Sequence, residues 1–144
     1  MSFKIEIVSP EKIFVSKENV KEVVLPAYEG EMGILKDHIS IISFLKPGII
    51  KVYNSDNKED NFYIEDGMVE FSNNCLIVLT SKILDIKNLE KSEINKMISD
   101  SEKELYNENI EDGTKYLINQ KIDTLRSLSL NKFNIYSIFF EISS

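Results

Sequence analysis

The chain has 144 residues, a formal net charge of −7, 42% hydrophobic and 28% charged residues. The acidic balance excludes a nucleic-acid binder, which needs a basic face to displace counterions from phosphates, and it opposes adsorption to an anionic lipid surface. The length allows one or two small domains with a real core.

The lone cysteine, Cys75, has no partner for an internal disulfide and no Cys or His at ligand spacing, so cytoplasmic residence is expected. No uninterrupted apolar run is long enough to span a bilayer, and Lys4 and Glu6 interrupt the first apolar segment where a secretory leader would need continuity. Any work at a membrane is therefore expected to go through a partner, without direct insertion.

Residues up to about Ile86 read as strands. Phe3, Ile5 and Ile7 alternate with Lys4 and Glu6, the period of a half-buried strand. Short apolar runs follow at Ile13 to Val15, Val20 to Leu25, Ile39 to Leu45, Ile49 to Tyr53, Phe62 to Ile64, Met68 to Phe71 and Leu76 to Thr80. Between them, Asn54-Ser55-Asp56-Asn57 and Asn73-Asn74 supply residues that tolerate the left-handed conformations of hairpin turns. In the block Tyr28-Glu29-Gly30-Glu31-Met32-Gly33-Ile34-Leu35-Lys36-Asp37-His38, the closely spaced glycines mark a tight turn at a strand end. Many short strands at this spacing predict a β-sandwich or flattened barrel.

After Asn88 the period changes. Ile94, Met97, Ile98 and Leu105 fall on one stripe of a helix. The polar stretch Asn107-Glu108-Asn109-Ile110-Glu111-Asp112-Gly113 breaks it, and Asp112 or Thr114 is placed to cap a second helix with a stripe of Ile118, Ile122 and Leu125. The prediction is an N-terminal β-sandwich over residues 1–88 and a C-terminal antiparallel two-helix hairpin over residues 89–144. The first helix is acidic, with Glu90, Glu93, Asp100, Glu102 and Glu104, whereas the second carries Lys115, Lys121, Arg126 and Lys132. Such helices attract each other across the hairpin, and a basic helix is also suited to an acidic partner; the first reading is favoured on charge pattern alone. The final segment, Phe133 to Ile142, is aromatic and β-branched and suits a strand as well as a helix. It is a candidate staple between hairpin and sandwich.

Catalysis is not expected. His38 is the single histidine, and Asp37 beside it is badly placed to orient it as a triad requires. No Gly-rich stretch reads as a phosphate loop, and the paired acids Glu59-Asp60 and Glu65-Asp66 are most simply solvated hairpin ends.

The Gly30-Glu31-Met32-Gly33 block, with His38 and then Leu45-Lys46-Pro47-Gly48, resembles the epsilon subunit of the F-type ATP synthase, bacterial type. Phe3 to Glu11 is similar to that family's first strand and its Pro-Glu turn. Asp66-Gly67-Met68-Val69-Glu70-Phe71 with Asn73 to Leu79 is similar to its later hairpin, with Asp66 where the family has glycine. The match runs in order from Phe3 to about Leu128. The resemblance implies a non-catalytic subunit of the rotor. Its sandwich would dock on the gamma subunit and touch the ring of c subunits, coupling proton-driven rotation to ATP synthesis. Its hairpin would extend to the alpha/beta catalytic head and inhibit ATP hydrolysis.

By the same resemblance, Glu31 and His38 lie on the turn facing the c ring, and Lys121 and Arg126 are the candidate inhibitory contacts to the beta subunit. The chain departs from the family at Lys36-Asp37, where Pro-Gly is common. It departs again at Leu89-Glu90-Lys91-Ser92-Glu93-Ile94, where an acid replaces the arginine of ATP-binding members, so no cofactor and no tight ATP site are expected. The implied location is the cytoplasmic side of the bacterial inner membrane, peripheral through the complex. The rival reading is a non-catalytic sandwich-and-hairpin adaptor for some other protein, sharing every periodicity and differing only in partner.

Overall fold

A computed structural model describes residues 2–107 and 109–143, with side chains described as far as Leu130. The chain divides into two compact units, residues 1–88 and 89–144.

The first unit holds nine strands: β1 (Phe3–Ser9), β2 (Lys12–Ala27), β3 (Gly30–Leu35), β4 (Ile41–Leu45), β5 (Gly48–Asn54), β6 (Glu59–Ile64), β7 (Gly67–Ser72), β8 (Cys75–Leu79) and β9 (Ile83–Asp85), with a short 3₁₀ turn at Ile86–Asn88. Hydrogen bonding follows the order β1-β8-β7-β4-β2-β5-β6-β9, with β3 added to β2 and β1 also paired with β2. β1 runs parallel to β8. Alternation in β1 does what its sequence asks: Phe3, Ile5 and Ile7 are buried and the residues between them stay half exposed. They join Val23, Leu25, Ile50, Val69 and Val78 in one core, where each large apolar side chain contributes about 1.5–3 kcal/mol.

Two features of the sandwich differ from the expectation drawn from sequence. The runs Ile13 to Val15 and Val20 to Leu25 belong to one 16-residue strand, β2. Asn19, at φ 59°, and a register shift beside Val20 bend that strand instead of ending it. Its first half pairs with β1 and its second half with β3 and β5, so one strand serves both layers of the sandwich.

The second difference is at the Gly30 block, which is mostly strand. The turn itself is Tyr28-Glu29, and Gly30 at φ 129° opens β3. Gly33 sits inside β3 opposite Val24 with no positive φ. The asparagine turns are as expected: Asn73, Asn74 and Asn57 have φ of 51°, 55° and 67°.

Close packing explains two glycines. A Cβ on Gly48 would stand 2.6 Å from Pro26 Cβ, and one on Gly67 would stand 3.2 Å from both Leu45 Cδ1 and the Leu79 carbonyl oxygen. Asp37 adopts φ 64°, a conformation usually left to glycine. The Asn74 side chain holds it there. The Asp37 N–H donates to Asn74 Oδ1 at 2.8 Å, and Asn74 Nδ2 donates back to Asp37 Oδ1 at 2.9 Å.

The second unit is a pair of packed helices, α1 (Lys91–Leu105) and α2 (Asp112–Ser143). Ile94 is fully buried, and Met97, Ile98 and Leu105 are half-buried beside it. Ile118, Ile122, Leu125 and Leu128 form the buried stripe of α2. Ser101 is also buried, its hydroxyl donating to the Met97 carbonyl at 2.7 Å, which satisfies it without an outside partner. Neither expected cap acts as one, because α2 already begins at Asp112. The Lys115 amide bonds the Glu111 carbonyl, and Asp112 instead places negative charge in the first turn. The backbone of α2 is helical as far as Ser143. The side chains of the tail from Phe133, and the staple assigned to them, lie outside the described residues.

Candidate docking site

In β4, Ile41 and Leu45 turn toward the core while Ile42 and Phe44 point away from it; Ile42 is 70% and Phe44 63% exposed. Strand register carries this outward surface across the neighbouring strands. Phe44 stands opposite Met68 of β7, and Met68 opposite Leu79 of β8. Met68 and Leu79 are 37% and 44% exposed. One row further along, Ile42 faces Glu70, and Glu70 faces Ile77. The result is an apolar patch on a rigid sheet, with Glu70 at its border. Paired neighbours on a sheet lie about 5 Å apart, so these side chains form one continuous surface. Isolated exposed apolar residues are common, but a contiguous set marks an interaction surface.

Beside the patch lies an open groove of about 980 Å³ between the Tyr28-Glu29 turn and β4, lined by Tyr28, Met32, Ile42, Phe44 and Leu45. Asp66 stands at its end. Burial pushes the Asp66 carboxyl up, but the Ser81 hydroxyl and amide and the Thr80 hydroxyl outweigh that and hold it below the usual carboxylate range. The three bonds measure 2.6, 2.8 and 3.2 Å. A residue that reads as a solvated hairpin acid is thus a clasp between the β6–β7 and β8–β9 turns. At the other end of the sandwich, Asp60 has its carboxyl lowered by Lys17, against the cost of burial, with further help from Asn54.

Glu31 and His38 do not share a turn. Glu31 is the second residue of β3, and the strand's rise of about 3.3 Å per residue leaves His38 beyond its far end. Glu31 is exposed, opposite Pro26, with its carboxylate 3.9 Å from Lys51 Nζ. His38 is half-buried; its Nδ1 sits 2.7 Å from the Ile39 carbonyl oxygen, and its ring stands edge-on to Phe71 at 6.0 Å. That setting fits a structural histidine.

The two basic residues of α2 are engaged within the hairpin. Arg126 Nη2 donates to Glu102 at 2.8 Å, and Lys121 Nζ lies 3.7 Å from Glu104. Attraction between oppositely charged helices, the reading favoured from sequence, is what the structure contains. The patch on β4, β7 and β8 is not visible in the sequence, because Phe44 and Met68 are brought opposite each other only by strand pairing. Among the described residues, no group of acids, His or Cys is arranged to hold a metal ion, and no helix is long and apolar enough to cross a membrane.

The chain is thus a β-sandwich with an outward apolar face, followed by a charge-paired helical hairpin. Residues 2–86 match the family model "ATP synthase, Delta/Epsilon chain, beta-sandwich domain". The chain is 61% identical over 127 residues to the ATP synthase epsilon chain of Pelagibacter ubique (strain HTCC1062), covering 88% of this chain and 97% of that one. It is 36% identical over 101 residues to the ATP synthase epsilon chain of a Nitratiruptor species, covering 70% and 78%.

Among solved structures, the fold is similar to a chain in the mitochondrial ATP synthase of Euglena gracilis (OSCP/F1/c-ring, rotational state 1). The TM-score is 0.72 at 15% identity, over 88% of this chain and 80% of that one. A chain of the Tetrahymena thermophila central stalk/c-ring gives 0.61 at 14% identity, over 88% and 95%. The chain belongs to the bacterial-type epsilon-chain family of ATP synthase, whose members are structural and regulatory subunits rather than catalytic ones.

Proposed function

We propose that the chain is a rotor element of an F-type ATP synthase, seated on the gamma subunit through the apolar face of β4, β7 and β8. The observation that carries this is the registered patch of Ile42, Phe44, Met68 and Leu79 on the rigid half of the molecule. A rotor must transmit torque without slipping. A close-packed sandwich meets that need because its interior resists deformation. The two structural neighbours come from an F1/c-ring and a central stalk/c-ring assembly, which supports a place in such an assembly. In this reading the end bearing Glu31 faces the c ring, His38 supports the opposite end, and the protein is held peripherally on the cytoplasmic face of the membrane.

The hairpin is a brake on ATP hydrolysis by the alpha/beta head. Lys121 and Arg126 are its contacts to an acidic surface, and both must first leave Glu104 and Glu102. The hairpin holds no ATP, because Glu93 stands where the resemblance puts an arginine near the triphosphate. Equilibrium dialysis checks that point, and saturable micromolar binding overturns it.

The main test is gel filtration of the full chain with its own gamma subunit, as wild type and as Phe44→Glu. Wild type co-elutes. The variant, still folded by circular dichroism, binds at least about 30-fold more weakly, as expected for a central apolar anchor. Unchanged binding by a folded variant removes this face from the interface.

A further inference from the structure

We propose that β4 is a strand acceptor: its open edge and the adjoining groove take an extended, cation-bearing segment of the stalk subunit on which the sandwich docks. The inference rests on the docking reading above and adds a mode of binding to it. β4 pairs along its whole length with β7. On its other side the single bridge is Ala27 to Leu45, so no described strand covers the edge from Ile41 to Phe44.

Natural sheet edges are usually blunted by charge, proline or a bulge, because an open apolar edge pairs with whatever strand it meets. The run Ile39-Ser40-Ile41-Ile42-Ser43-Phe44-Leu45 has none of these residues. It also carries Ile39, the most exposed large aliphatic side chain in the sandwich at 76%. β3, the neighbouring edge, differs, being interrupted by Gly30, Glu31 and Gly33. An edge left unprotected beside a blunted one is the arrangement expected where pairing with another chain is part of the function.

The groove supplies what backbone pairing lacks, namely sites for alternate side chains. Tyr28, Met32 and Leu45 form its apolar wall. Glu29 stands at its rim, and Glu70 faces Ile42 across the ladder. An incoming segment therefore alternates apolar groups with at least one lysine or arginine. A second copy of this chain is the poorer occupant, because pairing β4 with β4 crowds Glu70 and Glu29 against their counterparts between two chains of net charge −7.

Hydrogen–deuterium exchange tests this on the full chain, alone and in a complex with its own gamma subunit isolated by gel filtration. Alone, the amides of residues 41–44 that face the open edge exchange fast. In the complex they slow by about 100-fold or more, while amides of β8, already paired on both sides, do not change. Co-elution without that protection overturns the strand-acceptor inference and leaves the docking reading standing. Absence of any complex overturns both. Protection that appears only when the c ring is added, or in the free chain together with a dimer's mass, assigns the edge to a different occupant and also overturns it.

Discussion

The sandwich and the hairpin are held together by different physics. In the sandwich, residues distant in sequence are locked by strand register, by a shared core and by two glycines, Gly48 and Gly67, that stand where a Cβ would crowd another chain segment. In the hairpin, a thin apolar stripe and exposed ion pairs join two helices. Helices of this kind gain most of their stability from packing an apolar face rather than from intrinsic propensity. The first construction suits a part that must keep its shape under load. The second suits a part whose packing can be exchanged for another at modest cost.

The largest expected effect comes from attacking the hairpin's stripe. Leu125→Ala removes a fully buried side chain and should destabilise the hairpin by about 3 kcal/mol. Thermal melts of the full chain followed by far-ultraviolet circular dichroism should lose helical signal at lower temperature, while sandwich protection against hydrogen exchange stays as it was. A single transition in which both regions weaken together breaks the contrast between them.

Next is the sandwich's own weak point. Gly48→Ala forces a Cβ to within 2.6 Å of Pro26, and overpacking of this kind costs about 1–3 kcal/mol. The urea midpoint should fall with little change in slope. Gly67→Ala, with contacts at 3.2 Å, should fall less. The reverse order sinks the close-packing account.

Much of this division is legible in the sequence, and what is not has identifiable causes. Alternation places β1 and the helical stripes because solvent and core select side chains at fixed periods. It fails at β2, where periodicity cannot tell a bend at Asn19 from a strand end. It fails at β3 too, because two glycines three residues apart look like a turn whether or not the backbone between them is extended. The docking patch was hidden for another reason. Phe44, Met68 and Leu79 become neighbours only through strand order, which one sequence does not specify. Asp66 was readable as an acid in a turn, but its partners Thr80 and Ser81 lie across two turns.

Asp66 yields the next smaller effect, and its sign follows from the lowered carboxyl. A group whose folded pKa is depressed stabilises the fold above its unfolded value, near 4, and that contribution disappears as pH falls through the folded value. Asp60 acts in the same direction. The sandwich should therefore lose stability in acid below about pH 4. Asp66→Asn should lower stability by about 1 kcal/mol at pH 7 and flatten the acid limb of the curve. An unaltered profile between pH 2 and 5 removes Asp66 as a contributor.

The smallest effect bears most directly on whether the hairpin is easy to open. Arg126–Glu102 is an exposed pair, worth about 0.2–1 kcal/mol, and screened by salt. Arg126→Gln and Glu102→Gln, alone and together, form a double-mutant cycle on hairpin melting. The coupling should be a few tenths of a kcal/mol at low ionic strength and vanish near 1 M salt. A coupling of that size cannot by itself hold the hairpin closed, so Arg126 is available to an acidic partner for little more than the cost of leaving Glu102. A coupling above about 2 kcal/mol would mean the opposite: a hairpin locked by its charges, in which Arg126 serves the folded packing and has little left to offer a second surface.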